Sequence, residues 1–389
     1  MSELLNGRWA ETKEALLEGL QGTKKSVMGV TLENTRKYLM ESPTAGATSA
    51  GNVATLNRVI LPVIRRVMPT VIANELVGVQ PMTGPVGQIH TLRVRYADSS
   101  SGAGVVAGEE ALSPFKIAEA YSGNENSANA KAASTATLEG AAGKRMSIQI
   151  LKQTVEAKTR KLSARWTFEA AQDAQAQQGI DIEAEVMAAL AQEITAEIDQ
   201  EILASLASLA GSATEDYDQT QVSGTATFVG DEHAALAVQI NRVSNLIAQR
   251  TRRGAGNWAV VSPFALTILQ SATTSAFART TEGTFEAPTN TKFVGTLNSA
   301  MKIYVNTYAN DSTPVLIGYK GSSESDAAAF YCPYIPLMSS GVVLDPSTFE
   351  PVVSFMTRYG YVELTNTASS LGNAADYLGK VSINNVSFK

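Results

Sequence analysis

The sequence predicts an α+β protein, with helical and strand-rich stretches grouped along the chain rather than alternating throughout. Three observations carry this. Ile182, Val186, Leu190, Ile194, Ile198, Ile202 and Leu206 recur at every fourth position, the mark of one long helix. Two segments of strand-like alternation, Gln88–Tyr96 and Met146–Val155, flank a long Ala/Ser/Gly/Asn-rich tract. Beyond residue 225 short strand and helix patterns follow one another, as in a compact mixed unit.

Taken in order, residues 1–52 predict a helical arm and linker. Leu5, Trp9, Leu16, Leu17 and Leu20 form one apolar stripe, and the stretch from Ser42 to Asn52 is Ser/Thr/Ala/Gly with Pro43. Residues 53–79 predict a second helical segment, with Val59, Ile60, Val63, Ile64 and Val67 on one face, Arg65 and Arg66 off it, and a break at Pro69. Residues 82–163 predict a long projecting hairpin. Its central tract, from about Asp98 to Gly143, has too few large apolar side chains for a core of its own.

Residues 164–178 predict a helix that stops at Gly179. Asp181 then caps a spine helix over 181–210, with Glu183 and Glu185 suited to its positive first turn. Each step of four overshoots a turn by about 40°, so the apolar stripe winds and needs different neighbours along its length. A mixed unit is expected over 225–345, with a helix at 231–252, strands at Trp258–Ser262, Lys302–Thr307 and Pro314–Tyr319, and a helix at Pro263–Ala272. A last strand is expected at Val352–Thr365, within a closing segment 346–389.

Composition narrows the function. The 389 residues are 44% apolar and 17% charged, which is enough for a real core and excludes disorder throughout. A net charge of −6 argues against wholesale coating of nucleic acid. One cysteine, Cys332, forbids an intrachain disulfide, and two histidines, His90 and His233, are too few for most zinc or non-haem iron sites. No apolar run approaches the ~20 residues of a membrane span, and the first twenty residues lack the order of a signal peptide, so the expectation is a chain made in a reducing cytosol.

Gly102-Ala-Gly-Val-Val-Ala107 matches the dinucleotide pattern, but it follows Asp98-Ser-Ser-Ser101 and precedes Glu109-Glu110 rather than joining a strand to a helix. It is expected to be a flexible loop. Gly140-Ala-Ala-Gly143-Lys144-Arg145 is too short for a P-loop, and there is no nucleophile elbow. Cys332 lies among apolar residues and reads as a buried, inert thiol; His90 and His233 read as structural or surface residues. No catalytic residue, cofactor or metal is expected. The poverty of titratable chemistry points instead to a structural role.

Charge is organised, however. Lys144, Arg145, Lys152, Lys158, Arg160, Lys161 and Arg165 cluster at the base of the hairpin. Glu185, Glu193 and Glu197 line the spine, where Glu193 and Glu197, and Glu197 and Glu201, share a face. The two sets are expected to meet, and to do so between subunits.

Several segments resemble one family: the major capsid protein of T-even-type tailed phages. The residues that carry the resemblance are Leu61–Pro69 running into Val77–Met82, Gly84-Pro85 and Gly87-Gln88. Then come Ala157–Arg160, Leu162–Asp173, Gly179–Asp181 and the Glu-rich spine. Last are Ile317–Gly321, Tyr331–Tyr334, Asp345-Pro346 and Thr357–Gly360. The resemblance implies the HK97-type capsid fold: an N-terminal arm (1–52), a peripheral domain (53–81, 164–224 and 346–389), an extended loop (82–163) and an axial domain (225–345). It implies no enzyme and no cofactor, but a subunit that joins identical copies in hexameric capsomers of an icosahedral shell. That shell encloses double-stranded DNA without sequence-specific binding. A vertex protein, scaffold, portal and decoration proteins are the further partners it implies; no membrane is involved.

Two departures from the family stand out. The T-even relatives carry an inserted globular domain in the extended loop, where this chain has only the small-residue tract, expected to be a plain loop lying on a neighbour. The arm is also shorter. The family's protease cuts after Glu in Leu/Ile-x-Glu; Leu39-Met-Glu41, before Ser42, fits the pattern, as does Leu16-Leu-Glu18, and retention of the arm is the expectation. The subunit contacts expected are Arg65, Arg66, Lys144, Arg145, Lys158, Arg160, Arg165, Glu185, Glu193 and Glu197. A nucleotide-binding cytosolic enzyme built on the Gly102–Ala107 loop, and a non-viral cargo shell of the same fold, are the alternatives.

Overall fold

The structure is a computed structural model of the full chain. It describes residues 22–41, 72–100, 104–109, 132–140, 143–178, 181–222, 229–251, 253–272, 277–279, 292–322, 326–364 and 374–386, with residues 9, 13, 14, 17, 111 and 121–123. The expected linker at 42–52, the apolar face at 59–67 and Arg65, Arg66 and Ser42 lie outside the described residues. The chain divides into two compact units.

The first unit takes Met1–Gly87, Val155–Ser205 and Ala329–Val362. Its sheet joins β1 (Gly78–Val79), β11 (Ala329–Ser339), β13 (Pro351–Glu363) and β12 (Val343–Leu344), with β4 (Lys158–Arg165) on β13. β13 alternates cleanly: Val353, Phe355, Thr357 and Tyr359 are buried and their neighbours are half-buried, the pattern of a strand with one face on a core. Helix α1 (Gly22–Glu41) packs on β11 of its own chain. It buries Val27, Met28 and Leu32, and the Asn34 amide donates to the Met82 carbonyl at 2.6 Å and the Tyr334 carbonyl at 3.0 Å. A one-turn helix α2 (Ala73–Leu76) leads into β1.

The spine forms as its pattern demands. With α3 the short turn Thr135–Leu138 and α4 the helix Phe168–Gln178, the spine is α5, Ile182–Leu209. Asp181 caps it, its carboxylate accepting from the Glu183 N–H at 3.1 Å. Burial deepens along α5: Ile182 and Val186 are half-buried, whereas Ile194, Ile198, Ile202 and Leu206 are fully enclosed.

The second unit takes Gln88–Thr154, Leu206–Ala328 and Glu363–Lys389. It contains a seven-stranded sheet ordered β5-β14-β10-β6-β9-β8-β7: Glu215–Asp218, Leu378–Asn384, Val315–Gly318, Trp258–Val261, Met301–Val305, Lys292–Leu297 and Phe277–Arg279. Helices α6 (Val229–Thr251) and α7 (Pro263–Ser271) complete its core, which gathers Leu236, Ile240, Val243, Ile247, Ile268, Ile303, Val315, Ile317 and Val381. Ser262 caps α7, accepting from the Ala265 N–H at 3.1 Å, with Pro263 in the first turn. At the sheet's centre Gly318 leaves room for the Trp258 indole, which would overlap any Cβ there.

Several sequence boundaries are corrected. Residues 164 and 165 extend β4 instead of opening a helix, because Ala164 and Arg165 pair with Val353 and Val352. Strand β11, placed by the sequence in the 225–345 unit, belongs with β1 and β13: it runs parallel to Gly78–Val79 and is buried along most of its length. Strand β14, placed with the return strand β13, instead pairs with β10 and β5 and sends Val381 and Ile383 into the other core.

The hairpin strands are β2 (Val86–Tyr96) and β3 (Met146–Glu156). The tract between them is more than a plain loop. Tyr96, Val105, Ala111 and Tyr121 form a small core, with the two tyrosine rings 4.6 Å apart. The Tyr121 hydroxyl donates to the Arg145 carbonyl at 2.6 Å. Four scattered side chains suffice because β2 backs them: Tyr96 and Val94 exchange backbone bonds with Gly108, Glu109 and Ala111.

Candidate functional site

The dinucleotide-like tract is the first candidate to fall. Gly102 and Ala103 lie outside the described residues, but Ser100 and Val105 exchange two 2.8 Å backbone bonds, so the chain reverses there. Gly104 takes φ +61°, and a second turn follows, with Gly108 at φ +91° and the Glu109 N–H bonded to the Val106 carbonyl, before Gly108, Glu109 and Ala111 bond to Tyr96 and Val94. Among the described residues of the tract no helix N-terminus is presented to a pyrophosphate.

The buried nucleophile candidate is equally inert. Cys332 sits in the middle of β11, and burial pushes its thiol up to about 12, away from the reactive thiolate. His90 is exposed on β2. His233 is buried at the start of α6, its Nδ1 2.6 Å from the Ser271 hydroxyl, and burial lowers its pKa. Among the described residues no group of three His, Cys, Asp or Glu is placed to hold a metal ion, and no helix is long and apolar enough to cross a membrane.

Charged residues make an elaborate polar constellation on the spine. Arg160, on the inward parity of β4, reaches α5: Nη1 donates to Glu197 and Nη2 to Glu201, each at 2.6 Å. Its Nε donates to the Tyr359 hydroxyl at 2.6 Å, and that hydroxyl donates in turn to Glu201. Burial opposes the charge on Arg160, but the bonds to Glu201 and Tyr359 outweigh it and hold the guanidinium above its ordinary pKa. Burial likewise opposes the Glu201 carboxylate, and Arg160 and Tyr359 hold it below the ordinary range.

The sequence expected the basic cluster and the acidic spine to meet between subunits; Arg160 and Glu197 meet within the chain. The pair closes within one chain, because β4 lies beside β13 and thereby carries Arg160 alongside Tyr359 and the spine. Tyr359 was not among the expected contacts. The signal for Glu201 was its i,i+4 spacing from Glu197; nothing local marks Tyr359.

The other candidates disperse. Arg165 is exposed and 3.8 Å from Glu350. Arg145 is bidentate on Asp98, with contacts of 3.0 and 3.4 Å, and the Arg145 bond holds the Asp98 carboxyl below its usual range. The Lys144 ammonium lies 5.6 Å from the Tyr121 ring centre. Lys158, Glu185 and Glu193 are exposed. Glu41 ends α1.

One surface was missed by the charge analysis. Met146, Ile148 and Ile150 share one face of β3, and Ile148 and Ile150 are 68% and 67% exposed. An apolar row of this kind on a two-stranded ribbon is what a covering partner would bury. The period of two along Met146-Ser-Ile-Gln-Ile150 is the signal that marks it.

Comparison with known proteins follows this geometry. The family described as major capsid protein Gp23 matches residues 53–383. The chain is 30% identical to the major capsid protein of Vibrio phage KVP40, over 85% of this chain and 81% of the relative. It is 29% identical to the major capsid protein of Enterobacteria phage T4, over 81% and 76%. Among solved structures it resembles more distantly the capsid of Myoviridae phage XM1. That match has 11% identity and a TM-score of 0.44, and it covers 80% of this chain and 91% of that one. A chain of Mycobacterium phage Bobi matches at 12% identity and a TM-score of 0.49, covering 81% and 90%.

Proposed function

This chain belongs to the major capsid protein family Gp23, and we propose on that premise that it builds the wall of a phage head as hexameric capsomers of an icosahedral shell around double-stranded DNA. Its work is surface burial between identical copies. A standard interface buries on the order of 1,600 Å², and closed symmetry repeats it many times.

The HK97-type parts map onto the chain as follows. The first unit, with the spine and the β1-β11-β13-β4 sheet, serves as the peripheral domain; the seven-stranded sheet with α6 and α7 serves as the axial domain. The β2–β3 ribbon serves as the extended loop and lies on a neighbouring subunit. The observation that carries this is the exposed Met146/Ile148/Ile150 row, an apolar face of the kind that a second copy would cover. Lys158 and Arg165 face acidic side chains of a neighbour, Glu185 and Glu193 among them. The net acidic chain encloses DNA without gripping it. Assembly in the host cytoplasm, alongside a vertex protein, scaffold, portal and decoration proteins, completes the proposal.

The paired variant Ile148→Lys/Ile150→Lys tests it. The expected result is a subunit with unchanged thermal unfolding that no longer assembles. Normal shells from this variant would overturn the role given to the ribbon.

A further inference from the structure

Asp199 is a second, separate polar feature of the spine, and the assembly role makes no use of it. Its carboxylate is 1% exposed. Oδ1 accepts a 2.9 Å hydrogen bond from the Ile72 N–H, across 127 positions of sequence. Oδ2 is fully buried and has no hydrogen-bond partner among the described residues. The α2 turn that begins beside it is packed tightly, with Ala73 and Leu76 buried, and it is tethered downstream where Gly78–Val79 pairs with Phe330 and Tyr331.

A carboxylate in this position is half satisfied. Protonated, it keeps the Ile72 bond and carries no charge into the dry interior. Ionised, it places charge on an oxygen with no donor, which is costly unless water enters. The element joined directly to that carboxylate is the single turn of α2, through the Ile72 N–H, with β1 holding it downstream.

We infer that Asp199 makes the seating of the α2 turn on the spine proton-dependent: seated while the carboxyl carries its proton, released as it ionises. Burial pushes the Asp199 carboxyl up to about 7, partly offset by the Ile72 N–H, so the change falls in the neutral range. The tyrosines, the thiol and the Glu201–Arg160 pair around it do not share that range. On β11, burial raises both the Tyr331 hydroxyl and the Cys332 thiol; on β13, burial and Glu201 raise Tyr359; on the spine, Glu201 stays a carboxylate beside Arg160. The α2 turn contributes the half-buried Glu75. The device is a property of the single subunit and stands apart from the assembly role.

Hydrogen exchange on the full chain tests it, comparing wild type with Asp199→Asn, which keeps an acceptor for Ile72. Taking the ratio of the two at each pH removes the intrinsic pH dependence of exchange. For the 72–77 segment the wild-type to variant ratio should rise about tenfold between pH 6 and pH 8. A flat ratio would overturn the inference. Should the variant fail to fold, infrared spectroscopy of wild type labelled with 13C-aspartate decides. A protonated carboxyl band at pH 6 that fades with a midpoint near 7 supports the device, and no such band at pH 6 refutes it.

Discussion

Arg160 and Glu201 are joined twice. The guanidinium donates directly to the Glu201 carboxylate at 2.6 Å, and it is joined again through the Tyr359 hydroxyl, which accepts from Arg160 and donates to the same carboxylate oxygen. Strand β4, strand β13 and the spine are thereby locked by one polar node. The side chains stay 30–45% exposed, so each charged bond contributes about 0.2–1 kcal/mol, and the bonds of the node together stabilise the fold before any neighbour arrives.

Arg160→Ala should therefore lower subunit stability by about 1–3 kcal/mol, because Glu197 and Glu201 are left facing each other without their cation. Tyr359→Phe should cost less, since the direct bond survives. Chemical denaturation of the two single variants and the double variant checks this, with coupling between the two sites as the expected signature.

Arg165 and Lys158 should behave differently, since both are exposed. Reversing both charges should leave unfolding within about 0.5 kcal/mol of wild type. Assembly should become weaker, and raising the salt should narrow the gap from wild type by screening. Light scattering at two ionic strengths reads both effects.

Asn34 anchors α1 by two bonds to buried backbone carbonyls. Asn34→Ala should destabilise that docking by about 1–3 kcal/mol, because the Met82 carbonyl loses its side-chain donor in the interior. Limited proteolysis should then cut within 22–41 faster than in wild type, while fragments from 292–320 stay resistant.

Gly318→Ala should be among the most damaging small changes. A Cβ there meets the Trp258 ring in the centre of the seven-stranded sheet, where overpacking costs about 1–3 kcal/mol or more. Thermal unfolding should fall and the near-ultraviolet signal of Trp258 should change.

The pH dependence of stability follows from Asp199. Its folded pKa lies above the ordinary 3.8, so the folded chain holds a proton that the unfolded chain releases between about pH 4 and pH 7. Stability is lost as pH rises through that window and is level above it. Asp199→Asn should be the more stable protein at pH 8, by on the order of 2–4 kcal/mol, with the gap closing towards pH 4. Denaturant midpoints across that range measure it.

Much of the fold was legible because burial is periodic where it matters. The spine announced itself through Ile182 to Leu206, and Ser262-Pro263 announced α7. Strand β11 was hidden because Ala329–Ser339 is a continuous apolar run broken by Pro333 and Pro336, which argue against a central strand. The backbone accommodates it by using carbonyls: Tyr331 and Pro333 accept from Gln80 and Met82. Strand β14 was hidden because seven residues carry too little pattern to say which sheet they join. The polar node was half legible: charge spacing revealed Arg160 and Glu197, but the third partner, Tyr359, arrives from 199 residues away. Assembly itself came from the family resemblance, since the residue chemistry spoke only by what it lacked.

The central claim is that this chain assembles with itself. Negative-stain electron microscopy of the purified protein, expressed alone and together with phage assembly partners, tests it most directly. Rings of six, tubes or closed shells are the predicted result. A monodisperse monomer under every condition, co-expression included, would contradict it.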